Sequence, residues 1–194
     1  GNLADVSCFS FHPRKIITTG EGGMITTSNK KLAEKFRSYK TFGKVNNEFL
    51  NDGINYKMSD VLSAIGLAQF KKLEKIISKR IEIAKIYDEL ISKIDIIEPQ
   101  KITKNARHTF QSYTCVITKP NLRDKIRNLL AKNNIETQIG TYALHCLPYF
   151  SKCKKIGNLQ NSEFLYKNTI TLPLHQNLTY RDQTLICKLI DHFQ

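Results

Sequence analysis

The sequence of 194 residues has no long hydrophobic run, since none approaches the ~20 apolar residues that a membrane-spanning helix needs. Methionine is scarce, with only Met24 and Met58, and the first residue is Gly1. No signal-peptide pattern is visible. We therefore expect a soluble, cytoplasmic protein without a membrane partner, and a chain whose true start is missing.

Cysteine is also infrequent, and its distribution argues against a metal or disulfide framework. The residues are odd in number and form no C-x-x-C pair: Cys8, Cys115, Cys146, Cys153 and Cys187. This scatter fits a reducing compartment and predicts no metal site. We expect each cysteine to be a small buried hydrophobic residue.

Acidic residues are outnumbered, with 17 against 30 basic residues and a net charge of +13. Such a surplus can attract phosphate-bearing partners, from nucleotide sugars to nucleic acid. The lysines are spread along predicted helix faces, however, and basic pairs are not interleaved with the aromatic signature of RNA-binding proteins. We expect no nucleic-acid partner, because a lysine-biased proteome or the loss of a more acidic half also explains the charge.

Hydrophobic periodicity predicts an α/β fold. A hydrophobic content of 41% can build a core of ordinary size. Apolar runs and alternation predict strands at Val6–Phe11 (buried), Gly23–Thr27, Ser112–Thr118, Ile135–Ile139 and Thr169–Leu174.

Helical spacing and capping residues predict the helices. The first covers Asn29–Phe42, with Asn29 as its N-cap, and a polar loop covers Gly43–Gly53. A long helical pattern, kinked or broken, runs from Ser59 to about Ile94, and Gly66 within it indicates close approach of another backbone. Two further helices are expected to begin with capping boxes, at Asn121 with Asp124 and at Thr179 with Asp182.

The pattern changes beyond Pro99, which places a domain boundary between about Ile94 and Asn105. We expect a part of a larger α/β domain in residues 1–98 and a small carboxy-terminal α/β domain in residues 99–194. Gly140–Phe150 is an aromatic loop that we expect to line a site.

The richest motif for chemistry is Ser-Phe-His-Pro-Arg-Lys-Ile-Ile-Thr-Thr-Gly-Glu-Gly-Gly, residues 10–23. It offers the primary amine of Lys15, nearby hydroxyl groups and a glycine-rich turn. A lysine amine can condense with a carbonyl group, and glycines permit a sharp turn directly after it. Lys15 could otherwise be one surface lysine among many.

A second motif is Gly-Ile-Asn-Tyr-Lys-Met-Ser-Asp, residues 53–60. By itself it indicates a helix start, because Ser59 can act as an N-cap and Asp60 suits the positive end of the helix dipole.

Both motifs resemble those of the DegT/DnrJ/EryC1/StrS family, whose members use pyridoxal 5'-phosphate (PLP) to transaminate keto sugars linked to nucleotides. The resemblance extends from about Asp5 to the carboxy terminus. It implies a fragment of the fold-type I PLP transferases, in which Lys15 binds PLP covalently. Ser10 would bind the PLP phosphate in the same subunit, and Asn55 would bind it across the interface of a homodimer.

The resemblance also implies substrate-binding residues. They are Lys57, where the family usually has arginine, and the carboxy-terminal residues His108, Tyr142 and His145. Lysine keeps the charge but loses the bidentate geometry of arginine. A lone histidine is more often a packed or solvated side chain, so the roles of His108 and His145 stay open.

The function implied is transfer of an amino group from an amino-acid donor such as glutamate to a nucleotide-linked keto sugar. A family branch with histidine at the lysine position dehydrates instead, so Lys15 favours transamination. The aspartate that usually pairs with the PLP ring nitrogen is not in this chain, and we expect the fragment to be inactive alone. A non-catalytic relative, such as a regulator, scaffold or truncated product, is the alternative.

Overall fold

In a computed structural model, which describes residues 3–194, the chain divides into two compact units. The first unit ends at Lys75, and the second covers Ile76–Gln194. Both units contain helices and strands, as the sequence predicts. Among the described residues, no helix combines the length and apolarity that crossing a membrane would require.

The first unit is built on a short hairpin and two helices. Strands β1 (Ser7–Ser10) and β2 (Gly23–Thr26) pair in antiparallel fashion, from Ser7 opposite Thr26 to Ser10 opposite Gly23. Helix α1 (Lys30–Tyr39) begins after Asn29, whose side chain accepts the Leu32 N–H at 3.2 Å, which confirms the predicted cap. The prediction of a buried first strand is wrong, because β1 has a single partner strand and most of it is exposed.

The segment predicted to be a plain loop contains a minimal hairpin of β3 (Lys44–Val45) and β4 (Glu48–Phe49). It was missed because each strand is only two residues long, too short for an alternating pattern to be recognised. Helix α2 (Asp60–Phe70) then follows, and Ser59 accepts the Leu62 N–H at 3.3 Å as its N-cap.

The long helical pattern is broken at Lys71–Lys72 into α2 and α3 (Leu73–Ile91). The Lys72 N–H donates to the Gln69 carbonyl at 2.9 Å, which tightens the last turn of α2 and ends it. Gly66 in α2 is closely approached, but by a side chain and not by the predicted backbone: a Cβ at Gly66 would lie 3.0 Å from Thr19 Cγ2.

The second unit is an antiparallel sheet with helices packed on it. Its strands lie in the order β5-β6-β8-β7: β5 (Ile97–Pro99), β6 (Tyr113–Ile117), β7 (Gln138–Ile139) and β8 (Thr169–Leu172). Its remaining helices are α4 (Arg123–Lys132), α5 (Gln160–Asn168) and α6 (Tyr180–Asp191).

Helix α3 contributes a continuous buried face to the core of the second unit. Ile83, Tyr87 and Ile91 recur at four-residue spacing and are almost completely buried. Tyr87 stacks on Tyr113 with ring centroids 4.8 Å apart, and its hydroxyl donates to the Pro173 carbonyl at 3.0 Å. This packing explains why the compact units divide before Ile76, whereas the sequence placed a domain boundary near residue 98. The domain division of the whole protein stays a prediction.

The two predicted capping boxes have different outcomes. At Thr179 the box is confirmed, since its backbone N–H donates to Asp182 Oδ2 at 2.9 Å and its hydroxyl accepts the Asp182 N–H at 3.2 Å. Hydrogen bonds from the side chain and backbone of Thr179 lower the pKa of Asp182. At Asn121 the box is wrong: Asn121 adopts a left-handed conformation (φ 60°), and α4 begins at Arg123 without a side-chain cap.

The cysteines divide into buried and exposed groups, so the expectation that each is buried is partly wrong. Cys115 and Cys187 lie in the core of the second unit, and burial raises the pKa of both thiols, that of Cys187 to about 12. Cys8, Cys146 and Cys153 are exposed.

Candidate functional site

Lys15 ends a tight turn between β1 and β2. Its backbone N–H donates to the His12 carbonyl at 2.9 Å, which closes a four-residue turn with Pro13 in the second position, where its fixed φ is favourable. The His12 N–H in turn donates to Ser10 Oγ at 3.3 Å. Ser10 and Lys15 are therefore linked through His12, and both are exposed.

The base of this excursion is closed by hydrogen bonds that extend the β1–β2 ladder. The Phe11 N–H donates to the Gly22 carbonyl at 2.9 Å. The Phe11 carbonyl accepts both the Thr19 N–H at 3.1 Å and the Thr18 hydroxyl at 2.8 Å. Residues 12–18 thus form a loop whose two ends are joined by hydrogen bonds. These bonds restrict the backbone conformations available to Lys15.

Asn55 is fixed by backbone pairing with the end of α1. The Ile54 N–H donates to the Tyr39 carbonyl at 2.8 Å, and the Tyr56 N–H donates to the Lys40 carbonyl at 3.1 Å. Asn55 itself pairs as an isolated bridge with Thr41, and it is exposed. The backbone around Asn55 is therefore held on both sides, while the residue remains accessible.

The lysine turn and the Asn55 segment meet through residues that the sequence did not single out. A Cβ on Gly22 would lie 2.6 Å from both Met58 Cε and Thr19 Oγ1, so Met58, three residues after Asn55, packs against the base of the lysine turn. Buried Thr19 in turn lies against Gly66 of α2. In the sequence, only Gly22 and Gly66 indicated close packing at these positions. The residues that pack against them could not be predicted, because a tertiary contact leaves no periodic pattern in the local sequence.

Lys57 lies in the same segment and is exposed. Its Nζ lies 5.8 Å from the centre of the Phe42 ring, within the range of a cation–π contact. Within residues 3–194, no hydrogen bond or ion pair holds this amine, so it can leave the Phe42 ring to contact a second ligand.

His108 is held on both ring nitrogens within the second unit. Nδ1 accepts the Phe110 N–H at 2.9 Å, and Nε2 lies 2.7 Å from Gln100 Nε2. Because Nδ1 accepts, Nε2 carries the proton of the neutral ring, and the Gln100 amide must turn its oxygen toward Nε2 to accept that proton. A substrate role for His108 would require exchange of one of these partners.

The aromatic loop carries Tyr142 and His145, the latter in a 3-10 turn at Leu144–Cys146. Tyr142 is exposed, and its ring centre lies 5.7 Å from that of Tyr166. His145 Nε2 lies 3.2 Å from Glu163 Oε1, and this hydrogen bond is the largest cause of the lowered pKa of Glu163. Cys146 completes a cluster with His145 and Glu163 that a search for C-x-x-C pairs could not find.

The residues of the first unit fit PLP in their chemistry. The fit rests on a primary amine, a hydroxyl group and an amide, the groups that can bind an aldehyde and a phosphate. All three belong to exposed residues, Lys15, Ser10 and Asn55, on backbone segments fixed by hydrogen bonds.

Comparison with known proteins gives matches along almost the whole chain. The model of the DegT/DnrJ/EryC1/StrS aminotransferase family matches residues 1–191. The chain is 34% identical over 196 residues to GDP-perosamine synthase of Escherichia coli O157:H7, an alignment that covers 100% of this chain and 53% of the relative. It is 31% identical over 199 residues to UDP-4-amino-4,6-dideoxy-N-acetyl-beta-L-altrosamine transaminase of Campylobacter jejuni, covering 96% of this chain and 51% of the relative.

A crystal structure of a DegT DnrJ EryC1 StrS aminotransferase from Brucella abortus has the same fold over the matched region. It superposes with a TM-score of 0.89 at 26% identity, covering 100% of this chain and 52% of that one. The chain thus spans about half the length of the curated relatives it matches.

Proposed function

Because the chain belongs to the DegT/DnrJ/EryC1/StrS aminotransferase family, we propose that it is the lysine-bearing part of a nucleotide-sugar aminotransferase. Aminotransferases of this family depend on PLP. The substrates proposed are an amino-acid donor, such as glutamate, and a keto sugar linked to a nucleotide. The names of two relatives, GDP-perosamine synthase and the UDP-linked altrosamine transaminase, support that substrate class.

The observation that carries the proposal is the clamped turn that presents Lys15. Bound PLP supplies the electron sink for amino-group transfer. The Nζ atom of Lys15 would hold the cofactor covalently, and its amine would carry a proton as general acid and base. Ser10 and Asn55 would bind the phosphate: the Ser10 hydroxyl accepts the His12 N–H, and the backbone on either side of Asn55 is held by hydrogen bonds.

The first unit exposes apolar surface that supports a larger parent protein. Among the described residues, every fully buried hydrophobic side chain belongs to the second unit. In α2, by contrast, Val61 is 72% exposed, Leu67 66% and Phe70 63%, although the helix is strongly apolar. Exposed apolar faces of this kind mark interaction surfaces. We infer that the half of the relatives that this chain does not span packs on the first unit.

We propose that the aspartate for the PLP ring nitrogen comes from the region that corresponds to the part of the relatives that this chain does not span. Asp5 is the only aspartate before Lys15, and it matches the family's lead-in to the lysine strand. Without that partner the ring is not kept protonated, and the electron sink is weakened.

The purified 194-residue chain is therefore expected to show no transamination above background. The assay measures 2-oxoglutarate formed from glutamate with PLP and nucleotide-linked keto sugars. The protein as its gene encodes it serves as the comparison and is expected to be active. Robust turnover by the 194 residues alone would refute the proposed inactivity. Absence of turnover in the gene-encoded protein would instead favour the non-catalytic alternative.

Replacing Asn55 with alanine is expected to weaken retention of PLP, because the phosphate loses an amide donor. The measurement is the fraction of cofactor that remains after gel filtration of the gene-encoded protein. Asn55→Asp should weaken retention further, since a carboxylate repels the phosphate. Unchanged cofactor affinity in both variants would rule out the phosphate contact.

Whether Asn55 acts across a homodimer can be tested by mixing Lys15→Ala and Asn55→Ala subunits at a PLP concentration too low to saturate Asn55→Ala. A heterodimer of Lys15→Ala and Asn55→Ala subunits has one intact site if the contact is in trans and none if it is in cis. Random assembly then restores about one quarter of the native activity for a trans contact, because half of the dimers have one of two sites intact. Failure to regain activity, with dimers present, contradicts the trans contact.

A further inference from the structure

We propose that His145, Cys146 and Glu163 form a binding site for a borderline-soft divalent cation of the zinc type. One ligand atom from each residue lies within 4.8 Å of the other two. This inference does not rest on the proposed aminotransferase function, because it uses only residues and contacts of the second unit.

Local structure brings the three side chains together. His145 and Cys146 are consecutive residues of a 3-10 turn, in which the Cys146 N–H donates to the carbonyl of buried Ala143 at 2.9 Å. Glu163 lies in the first turn of α5, where its N–H donates to the Leu159 carbonyl at 3.1 Å. Local backbone hydrogen bonds therefore fix the segment of His145 and Cys146 and, separately, the segment of Glu163.

The donor set determines which ion fits. Imidazole nitrogen, thiolate sulfur and carboxylate oxygen together are typical of zinc, whereas magnesium and calcium take oxygen ligands. A thiolate and a carboxylate also neutralise the two positive charges of the ion, and the thiol proton passes to the buffer on binding. Three protein ligands leave the fourth tetrahedral position for water or another small ligand.

The distances require only a small closure around the ion. His145 Nε2 and Glu163 Oε1 are already 3.2 Å apart, close to the ~3.3–3.8 Å between neighbouring ligands of tetrahedral zinc with bonds of about 2.0–2.3 Å. The widest pair must approach by about 1 Å, which rotation of the exposed Cys146 side chain can supply. The ion replaces the His145–Glu163 hydrogen bond.

Neighbouring charge opposes binding but is screened. Lys167 Nζ lies 3.7 Å from Glu163 Oε2, whereas His145 contacts Oε1, and the Lys167 side chain is 69% exposed. Lys155 also acts on Glu163 through its charge. Both are solvated lysines, whose effect on a nearby ion is weakened by water and salt.

The test uses cobalt(II) as a spectroscopic probe on the chelator-treated chain, without PLP. We expect a thiolate-to-cobalt charge-transfer band, visible bands of tetrahedral intensity, and loss of both when zinc is added. Zinc should also raise the Tm by a few degrees, because it binds the folded state. No spectral change at millimolar cobalt would overturn the proposal and leave His145–Glu163 as an ion pair only.

Variants distinguish this site from scattered surface ligands. Cys146→Ser should abolish the charge-transfer band, whereas Cys153→Ser, at another exposed cysteine seven residues later, should leave it unchanged. Glu163→Gln should weaken cobalt binding by at least about tenfold, the loss that follows removal of even an outer-shell partner. Circular dichroism checks that each variant is folded. A band that survives in Cys146→Ser, or is lost equally in Cys153→Ser, refutes the assignment.

Discussion

Replacing Lys15 with alanine is expected to abolish covalent retention of PLP and to lower turnover by at least about 10³-fold, in the protein as its gene encodes it. The variant loses both the covalent anchor and the proton carrier, and general acid–base catalysis alone contributes about 10²–10⁴-fold. The measurement is the absorbance spectrum with PLP before and after borohydride reduction, followed by mapping of the reduced adduct by mass spectrometry.

Two further substitutions make the test specific for the Lys15 amine. Lys15→Arg keeps the positive charge but offers no reactive amine, so it should behave like the alanine variant. Lys30→Ala removes an exposed lysine at the start of α1 and should retain both the adduct and the turnover. An adduct on any other lysine, or native turnover in Lys15→Ala, would contradict the proposed role of Lys15.

Local sequence signals predicted most elements of the fold because those elements are stabilised locally. The N-cap at Asn29 and the capping box at Thr179 each use side chains within three residues of the helix start. The same reasoning failed at Asn121, since asparagine also tolerates the left-handed conformation that it adopts there. Residue type alone cannot separate these two outcomes.

Elements that depend on tertiary contacts were missed or misplaced. Strand β5 has three residues and forms only because β6 pairs with it, and α5 has no side-chain cap at Leu159. Helix α3 carries a regular apolar pattern, but that pattern does not say which unit buries it. Periodicity therefore defined the helix and left its packing partner open.

The candidate site divides in the same way. The motif around Lys15 could be recognised in the sequence because its residues are contiguous and the turn is closed by bonds between near neighbours. The packing of Met58 and Thr19 on Gly22 joins residues up to 39 positions apart in the chain, and no local signal reports it. The cluster of His145, Cys146 and Glu163 could not be predicted from the sequence either. Glu163 lies in α5, a helix that the sequence did not predict.

The backbone crossing at Gly43 adds to the hydrogen bonds that hold the segment of Asn55 in place. Gly43 donates its N–H to the Ser38 carbonyl at 2.9 Å, and its carbonyl accepts the Asn51 N–H at 3.1 Å. The neighbouring Phe42 N–H donates to the Ile54 carbonyl at 3.1 Å, directly before Asn55. Movement of the backbone at Gly43 therefore displaces the strand-like segment that carries Asn55.

Replacing Gly43 with alanine is expected to destabilise the first unit by more than about 3 kcal/mol. Gly43 has a φ of 75°, and an added Cβ would lie 1.6 Å from the Asn51 carbonyl oxygen and 2.5 Å from its carbon. Those are backbone atoms, so the clash is relieved only by separating the two segments. Urea unfolding measures the loss of stability, and hydrogen–deuterium exchange of residues 38–56 locates it.

Gly20 and Gly157 are matched controls for the conformational part of this cost. Their φ angles are 85° and 77°, and a Cβ at either position would meet no atom within 4 Å. Gly20→Ala and Gly157→Ala should therefore lose only the ~1–2 kcal/mol that a left-handed alanine costs. The difference between Gly43→Ala and these controls isolates the clash with Asn51. If all three variants lose the same stability, the close crossing of Gly43 and Asn51 does not hold the Asn55 segment in place.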